Sequence, residues 1–522
     1  MAAVRSGSML SGLLRRGAQS SQATNHGARR SMSGPPAAPA LWSAVHGMFD
    51  ADVPLTEPFP GVPTPTPRER PPVSPVRVTK LDNGARVASV DTGDRVSSVG
   101  LFVRAGSRYE SAGANTGVCS LLEHMAFRGT ARRSKFLQTR SLEKTGASFG
   151  ASASREVLIY SAEGMRAAAG SLVGEIAEAA LESMVMGATQ GTPEWDAARA
   201  EIKTQAAAMA DHPELSAGDA SVELNELLHA TAYNSVGLGM TSLPKADKVG
   251  NLAPDVVASY VSASHTPERM VLAASNVDHD TLVAHAQKHL GSARAGGGAL
   301  PESSAHYTGG WARSASAPAS GGGHVAIGFE SLSWAHEDLV PLCVLRTLLG
   351  GGSSFSSGGP GKGMYTRLYT GVLNVHGWVD ACAAFNHVYS DTGLFGISAS
   401  CVDGAYLPHL VDVTTEQVGA MARVPTAEEL GRAKAMTAAA LVMDLESRAV
   451  LCEDIGRQLA IGDTYMTVEE VLKQVEAVTG EQLAALAARV TGGKPTVVVV
   501  GDAYETASYE EIASAVHKQI SA

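Results

Sequence analysis

The chain carries an internal repeat, which appears when the sequence is shifted by 226 residues against itself. The apolar run at residues 99–101 then falls on residues 325–327, and residues 270–273 fall on residues 496–499. Helix-like segments opening with an acid, Asp255 and Glu481, precede the two later runs. Two segments in the same register, about 170 residues apart, predict two homologous halves that arose by duplication.

Each half has about 220 residues, and a segment rich in Gly, Ser and Ala lies between them. We expect an N-terminal domain at residues 76–290, a linker at 291–323 and a C-terminal domain at 324–522. Strand-like and helix-like segments interleave without a strict strand-helix-strand rhythm. The predicted fold class is therefore α+β, with helices packed on one face of a sheet in each half.

The N-terminal segment has the composition of a targeting sequence. Residues 1–31 contain five arginines and many serines, and the first acid of the chain is Asp50. This pattern is typical of a mitochondrial transit peptide, with a disordered basic tail as the alternative. Residues 32–75 form a proline-rich arm, with nine prolines from Pro54 to Pro75, and we expect it to be extended.

The charge balance indicates the kind of partner. The formal net charge is −11 and becomes −16 if the five leader arginines are removed. Such a surface attracts cationic partners and disfavours nucleic acid. The five cysteines are far apart in sequence, so we expect buried thiols in a reducing compartment, with a disulfide framework as the less favoured alternative.

Residues 117–127 resemble a damaged zinc-peptidase helix. The inverted zincin motif places His-x-x-Glu-His on one helix, so that two imidazoles hold zinc and the glutamate activates water. Here Glu123 and His124 are present, but Ser120 occupies the position of the first histidine. A hydroxyl is a poor zinc ligand near neutral pH.

A third ligand would have to come from the helix that begins at Thr192. That helix offers Glu201 and Gln205, and the preferred alignment puts Gln205 in the ligand position. We therefore predict no bound metal and no catalytic residue, with Ser120, Glu123 and His124 as a degenerate motif. Ordinary polar helix residues and residual catalysis are the two alternatives.

Residues 350–363 contain seven glycines in fourteen positions. A phosphate-binding loop would need glycine at 356 and Ser or Thr at 363, where the chain has Ser356 and Gly363. Because ordering glycine costs the most entropy, we expect a mobile loop that contacts extended peptide, with a plain connector as the alternative. The candidate binding residues are Gly350, Gly351, Gly352, Ser353, Ser354, Phe355, Gly358, Gly359, Pro360, Gly361, Lys362 and Gly363.

These stretches resemble the M16 metallopeptidase family over roughly residues 75–522. The similarity rests on Ala-Gly-Ser-Arg-Tyr-Glu at 105–110, Leu-Glu-His-Met-Ala-Phe at 122–127 and His-Thr-Pro-Glu-Arg-Met-Val-Leu-Ala at 265–273. The glycine-rich loop, continuing through Met364 and Arg367-Leu368-Tyr369, is the most specific feature and is similar to one branch of the family, the non-catalytic subunits. The resemblance implies two LuxS/MPP-like domains.

The resemblance also implies a function and partners. It implies a substrate-recognition subunit in the mitochondrial matrix, paired with the zinc-bearing beta subunit of mitochondrial processing peptidase, whose loop binds basic presequence peptides. No cofactor is implied for this chain. One departure is that Glu123 and His124 are retained, as in beta subunits.

Two other readings stay open. A structural core subunit of the cytochrome bc1 complex (complex III), on the matrix side of the inner membrane, is one alternative, alone or combined with the processing role. An active stand-alone zinc peptidase is the other.

Overall fold

The structure is a computed structural model. It describes residues 75–186, 188, 190–210, 220–244, 246–293, 300, 304–314, 321–354, 363–462, 464–501 and 506–520. The predicted transit peptide and all of the proline-rich arm except Pro75 lie outside these residues.

The first half builds a mixed six-stranded sheet. Its strand order is β1-β2-β6-β3-β5-β4, with β2 and β6 parallel and the other neighbours antiparallel. The strands are β1 Arg77–Lys80, β2 Arg86–Val90, β3 Val96–Val103, β4 Ser148–Ala153, β5 Leu158–Met165 and β6 Met270–Ser275.

The second half builds another mixed six-stranded sheet, of order β7-β12-β8-β11-β10-β9. Here β7 and β12 are the parallel pair. The strands are β7 Gly310–Ser314, β8 Gly323–Ser331, β9 Gly351–Ser353, β10 Val379–Val388, β11 Gly393–Cys401 and β12 Thr496–Val500.

The two sheets share five strands in the same order and direction, which confirms the repeat. β2-β6-β3-β5-β4 corresponds to β7-β12-β8-β11-β10, while β1 and β9 are additions at opposite edges. The 226-residue shift is right for β3 and β8, since Leu101 and Ile327 both face their own half's main core. It is off by one for β6 and β12, because Leu272 and Val497 are the core-facing equivalents and differ by 225 residues.

Fifteen α-helices are found in the described residues. Those of the first half are α1 Val118–Met125, α2 Lys135–Thr145, α3 Ala169–Leu181, α4 Pro193–Ala210, α5 Ala220–Ala232, α6 Ala246–Gly250, α7 Pro254–Ser264 and α8 His279–Leu290. Those of the second half are α9 Leu339–Leu349, α10 Leu407–Gly419, α11 Ala427–Leu445, α12 Arg448–Ile461, α13 Val468–Ala477, α14 Gly480–Thr491 and α15 Tyr509–Ile520.

Most helices pack on one face of the sheet of their own half, as predicted for an α+β fold. The opposite face of each sheet is covered by a helix from the other half. Helix α12 lays Cys452, Ile455 and Leu459 on the first sheet against Phe102 and Val271. The first sheet is therefore covered on both faces.

Helix α5 does the same for the second sheet. Its Leu224 and Leu228 pack with Ala326, Leu394 and Val498. Residues 220–232 shifted by 226 fall on 446–458, so α5 and α12 are equivalent helices that the two halves exchange. Because each sheet loses its cover if the other half is removed, the two halves form one folding unit.

The predicted linker is shorter than expected. Residues Gly310–Ser314 lie within the predicted linker at 291–323, but they form β7 and pair in parallel with β12. This strand has the sequence GWARS and occupies the edge of its sheet, where short and weakly apolar strands are tolerated. Its low apolar content hid it from the hydrophobic pattern.

All five cysteines are buried and unpaired, as expected. None of the helices in the part of the chain that the structure describes combines the length and apolar character needed to cross a bilayer.

Candidate functional site

Helix α1, which carries the degenerate zinc motif, is fixed at its N-terminus by a buried carboxylate. The helix begins after Gly117, which has φ 92° and offers no capping side chain. Glu110 fills that role, because its two carboxylate oxygens accept the backbone N–H groups of Gly117 at 2.7 Å and Cys119 at 2.8 Å. A carboxylate at a helix N-terminus accepts hydrogen bonds from backbone N–H groups that have no partner within the helix. Its negative charge also interacts favourably with the positive end of the helix dipole.

Burial raises the pKa of Glu110 to about 7, although the two backbone N–H groups act in the opposite direction. No zinc-motif or loop pattern in the sequence points to Glu110. Its position in Arg-Tyr-Glu, shortly before the glycine that begins the helix, was the available signal.

The three motif residues lie on one short helix. Ser120 is buried, and its carbonyl oxygen accepts a hydrogen bond from Nδ1 of His124 at 2.9 Å. The Glu123 carboxylate accepts the backbone N–H of Ala153, at the end of β4, at 3.0 Å. Both polar side chains are therefore tied to neighbouring backbone.

Helix α4 supplies the position of a third ligand and packs against α1. The side-chain amide of Gln205 donates to Oε1 of Glu201 at 2.6 Å, and Nζ of Lys135 lies 3.4 Å from the same oxygen. Gln205 is buried, whereas the Glu201 side chain is 15% exposed. The structure therefore places both candidate residues on one flank of α4, with the Glu201 carboxylate already engaged by an amide and an ammonium group.

The donor set does not fit the zinc that the fold family implies. A catalytic zinc is held by three protein ligands, usually histidines and a carboxylate. Helix α1 provides one imidazole and a serine, and the carboxylate of α4 is held by other groups. Within the described ranges, no three His, Cys, Asp or Glu side chains are gathered so that they could hold a metal ion.

The N-terminal end of the glycine-rich loop is a structured stem. Gly350 ends helix α9 with φ 60°, and Gly351–Ser353 form β9 at the edge of the second sheet. Gly351 lies opposite Ala383 of β10, so closely that a Cβ at this position would overlap the carbonyl oxygen of Cys382. Of the candidate binding residues, Phe355, Gly358, Gly359, Pro360, Gly361 and Lys362 lie outside the described residues.

Thr366 joins the two ends of the loop. Its hydroxyl accepts the N–H of Gly351 at 3.1 Å and donates to the carbonyl of Gly363 at 2.7 Å. Its own N–H also donates to the Gly363 carbonyl, at 3.0 Å. Because its two ends are already held together, the loop loses less conformational entropy when it binds a ligand. The sequence carried no signal for this residue, because its role depends on contacts that only the folded chain creates.

Comparison with known proteins identifies the family. The family model described as "Insulinase (Peptidase family M16)" matches residues 86–242, and "Peptidase M16 inactive domain" matches residues 251–437. Similar curated proteins carry the name mitochondrial-processing peptidase subunit alpha. The one from Pongo abelii is 34% identical, covering 94% of each chain. The one from Solanum tuberosum is 33% identical, covering 84% of each.

A solved structure has the same fold. A chain of "Complex III2 from Candida albicans, Inz-5 bound" aligns with TM-score 0.70 at 20% identity, covering 84% of this chain and 99% of that one. The sequence relatives go further than the fold, because they share about a third of their residues over almost the full length. The chain belongs to the M16 peptidase family and, within it, to the mitochondrial-processing peptidase alpha subunits.

Proposed function

We propose that this chain is the non-catalytic, substrate-recognition subunit of a mitochondrial processing peptidase. It binds the basic presequences of imported precursors, and a zinc-bearing beta subunit cleaves them. The observation that carries the proposal is the ligand set of α1 and α4. With Ser120 in place of an imidazole and Glu201 bound to Gln205 and Lys135, the described residues of this half do not bring together the donors for a catalytic zinc.

The presequence contact is assigned to the loop at residues 350–363. Its stem is anchored by β9 and by Thr366. Of the nine residues between the anchors, 354–362, six are Gly or Ser, with a small side chain or none. Anchored ends and a middle rich in Gly and Ser suit a loop that adapts to many presequences of different sequence.

The charge of the chain supports a basic ligand. Once residues 1–31 are removed as a transit peptide, the net charge is −16, which favours encounter with cationic peptides. The names of the sequence relatives agree with a mitochondrial location. We propose the matrix as the compartment and the beta subunit as the obligate partner.

A loop replacement tests the proposal. Residues 354–362 are replaced by a short Gly-Ser bridge that leaves Gly351, Gly363 and Thr366 in place. We expect presequence cleavage by the assembled pair to fall by at least tenfold while the amount of heterodimer is unchanged. Unchanged cleavage would reject the proposed role of the loop.

A second variant tests the absence of catalysis in this chain. Glu123→Gln in this subunit is expected to leave cleavage by the pair unchanged, since no zinc-bound water is activated here. Loss of cleavage together with about one zinc per isolated chain would support the stand-alone peptidase instead.

The second candidate function is a core subunit of the cytochrome bc1 complex, alone or combined with processing. The fold shared with a chain of a complex III structure favours it. Fractionation of solubilised inner membranes decides: co-migration with cytochromes b and c1 supports it, and their absence from every fraction that contains this chain excludes it.

A further inference from the structure

Two aromatic side chains, the half-buried Trp378 and the exposed Tyr406, form a stacked pair on the second half. The rings of Trp378 and Tyr406 lie 5.1 Å apart between centroids with an interplanar angle of 11°, and the His376 ring lies 5.4 Å from Trp378. The backbone N–H of Val402 donates to the Trp378 carbonyl at 3.4 Å. We call Trp378, Tyr406 and Val402 the aromatic platform.

The platform is open to solvent at Tyr406 and Val402, while Trp378 is half-buried and packs against the core of the second half. Tyr406 is 41% exposed and Val402 is 63% exposed, and the neighbouring Val375 is also 63% exposed. Single exposed apolar residues are ordinary, but an exposed ring in a parallel stack, beside further exposed apolar residues of the same segments, is typical of a contact surface. Parallel stacking leaves a broad π face to which a further planar group can be added.

Two carboxylates flank the platform. Asp380 follows Trp378 by two residues at a β-bulge, where the pairing of β10 with β11 is interrupted, and Asp403 directly follows Val402. Both side chains are exposed. Burial raises the pKa of the Cys401 thiol, and the charges of Asp403 and Asp380 both add to this rise, so both carboxylates lie near the end of β11.

The platform adjoins the stem of the glycine-rich loop. Ser354, the last described residue before the loop, donates its backbone N–H to the carbonyl of Asp380 at 2.6 Å. The next residues of that strand, Ala381 and Cys382, pair with Ser353 and Gly352 of β9. When a peptide contacts the loop stem, one of its neighbouring side chains can therefore reach the platform.

We propose that the aromatic platform, with Asp380 and Asp403, is a subsite for one arginine side chain of an extended basic peptide. The guanidinium group stacks on the exposed aromatic face and pairs with a flanking carboxylate. Arginine fits better than lysine, because its planar, weakly hydrated group both stacks on aromatic rings and forms two parallel hydrogen bonds to a carboxylate. The subsite rests on the proposed function and is separate from the glycine-rich loop.

The local charge decides against two other ligand classes. The charged side chains identified beside the platform, Asp380 and Asp403, are carboxylates, which repel the phosphates of nucleic acid and of anionic lipid headgroups. A partner-subunit contact is the remaining alternative for an exposed aromatic patch, and the test below separates it from the peptide subsite.

The test is a double-mutant cycle on the assembled pair. Two presequence peptides are compared, one with a single arginine distant from the cleaved bond and one with citrulline there, which keeps the planar shape and loses the charge. Each is measured with the wild type, Asp380→Asn/Asp403→Asn and Tyr406→Leu. We expect each variant to raise KM for the arginine peptide about tenfold and for the citrulline peptide less than twofold.

Raising ionic strength should reduce the difference between the two peptides for the wild type but not for the double asparagine variant. Tyr406→Leu keeps an apolar side chain at an exposed position, so this variant is expected to fold and to report on the lost ring alone. Equal effects on both peptides, with no arginine position giving coupling, overturn the proposal. Weakened heterodimer formation in place of arginine dependence assigns the patch to the partner subunit and also overturns it.

Failure of this inference is distinct from failure of the proposed function. If only the subsite is wrong, the wild-type pair still cleaves presequences, the loop replacement still lowers cleavage by at least tenfold, and the cycle shows no coupling. If the function is wrong, the wild-type pair shows no dependence on this chain's loop.

Discussion

Helices α1 and α9 occupy equivalent places in the two halves but end differently. In the first half the helix carries His124 in its last turn, and the chain then passes through Phe127, which has φ 60°. In the second half the equivalent of His124 is Gly350, where the helix stops with φ 60° and the chain joins the sheet edge as β9. The duplicated position is thus a polar helix face in one half and the stem of a loop in the other.

The difference shows how side chains set the use of a shared backbone. Phe127 adopts a conformation that is unfavourable for a bulky residue, and its ring packs against Phe149 at 5.4 Å and Tyr160 at 6.4 Å, which holds the turn in place. At Gly350 and Gly351 the neighbouring chain approaches so closely that a Cβ would overlap Thr366 or Cys382. Packing fixes the first turn, and the absence of side chains permits the second.

The largest effect is expected from adding a side chain to the loop stem. Gly351→Ala puts a methyl group onto the backbone of β10 at φ 90°, so β9 should separate from the sheet at a cost of about 3 kcal/mol. Faster amide hydrogen exchange at residues 351–353 and 381–383 would report this separation of β9 from the sheet. Gly377→Ala, at an exposed position with no close neighbour, is the matched control and should change little. Unaltered protection in Gly351→Ala would mean that the stem is not rigid.

The next effect concerns the anchoring of α1. Because the pKa of Glu110 is raised to about 7 from an ordinary value of 4.5, the folded state favours the protonated acid. Its contribution to stability is present below pH 4.5 and is lost as the pH rises to 7, by about 3 kcal/mol. Denaturant unfolding from pH 5 to 8 should show the wild type losing stability relative to Glu110→Gln. A pH-independent difference would contradict the burial of an ionisable carboxyl.

Restoring the first histidine should not restore a peptidase. Ser120 is buried, and the crevice it lines has no room for a water-sized molecule, so Ser120→His should overpack α1 and cost about 1–3 kcal/mol. With Glu201 held by Gln205 and Lys135, zinc should stay well below one per chain in metal analysis. Ser120→Ala is the control for loss of the hydroxyl. One zinc per chain with peptide hydrolysis by isolated Ser120→His would show that the imidazole alone was missing.

The smallest effect is expected from loosening the loop ends. Thr366→Val keeps the shape but removes the hydroxyl that links Gly351 and Gly363, which costs about 1–2 kcal/mol. The KM of the assembled pair for a presequence should rise about fivefold with kcat nearly unchanged, and Thr366→Ser should restore it. An equal loss in the serine variant would point to the methyl group instead, which fills the space beside Gly350.

The repeat and the fold class could be predicted because hydrophobic patterns are local. A run such as residues 325–327 reads as a strand wherever it occurs, and the same spacing in both halves fixes the order of elements. The register error at β6 and β12 arose because runs of four or five apolar residues can be aligned one residue apart with equal hydrophobicity. The two registers are distinguished only in the structure, where the side chains of Leu272 and Val497 point into the main cores of their own halves.

The candidate site was only partly visible in the sequence. The serine at position 120 could be recognised as a replacement, because the zinc motif needs fixed residue types four apart on one helix. The roles of Glu110 and Thr366 could not be recognised, since both side chains bond to backbone groups that come close only in the folded chain. Trp378 and Tyr406 are 28 residues apart, and only the pairing of β10 with β11 brings their rings together.

The sequence by itself determined that two α+β halves exist, that Ser120 stands in one of them where the zinc motif has its first histidine, and that the other carries a glycine-rich loop. Only the tertiary structure decided which sheet each apolar helix face covers. An amphipathic pattern indicates that a helix buries one face, but it does not indicate which surface covers that face. The exchange of α5 and α12 between the sheets, and the closing of the loop stem at Thr366, therefore follow from long-range packing, which leaves no local pattern in the chain.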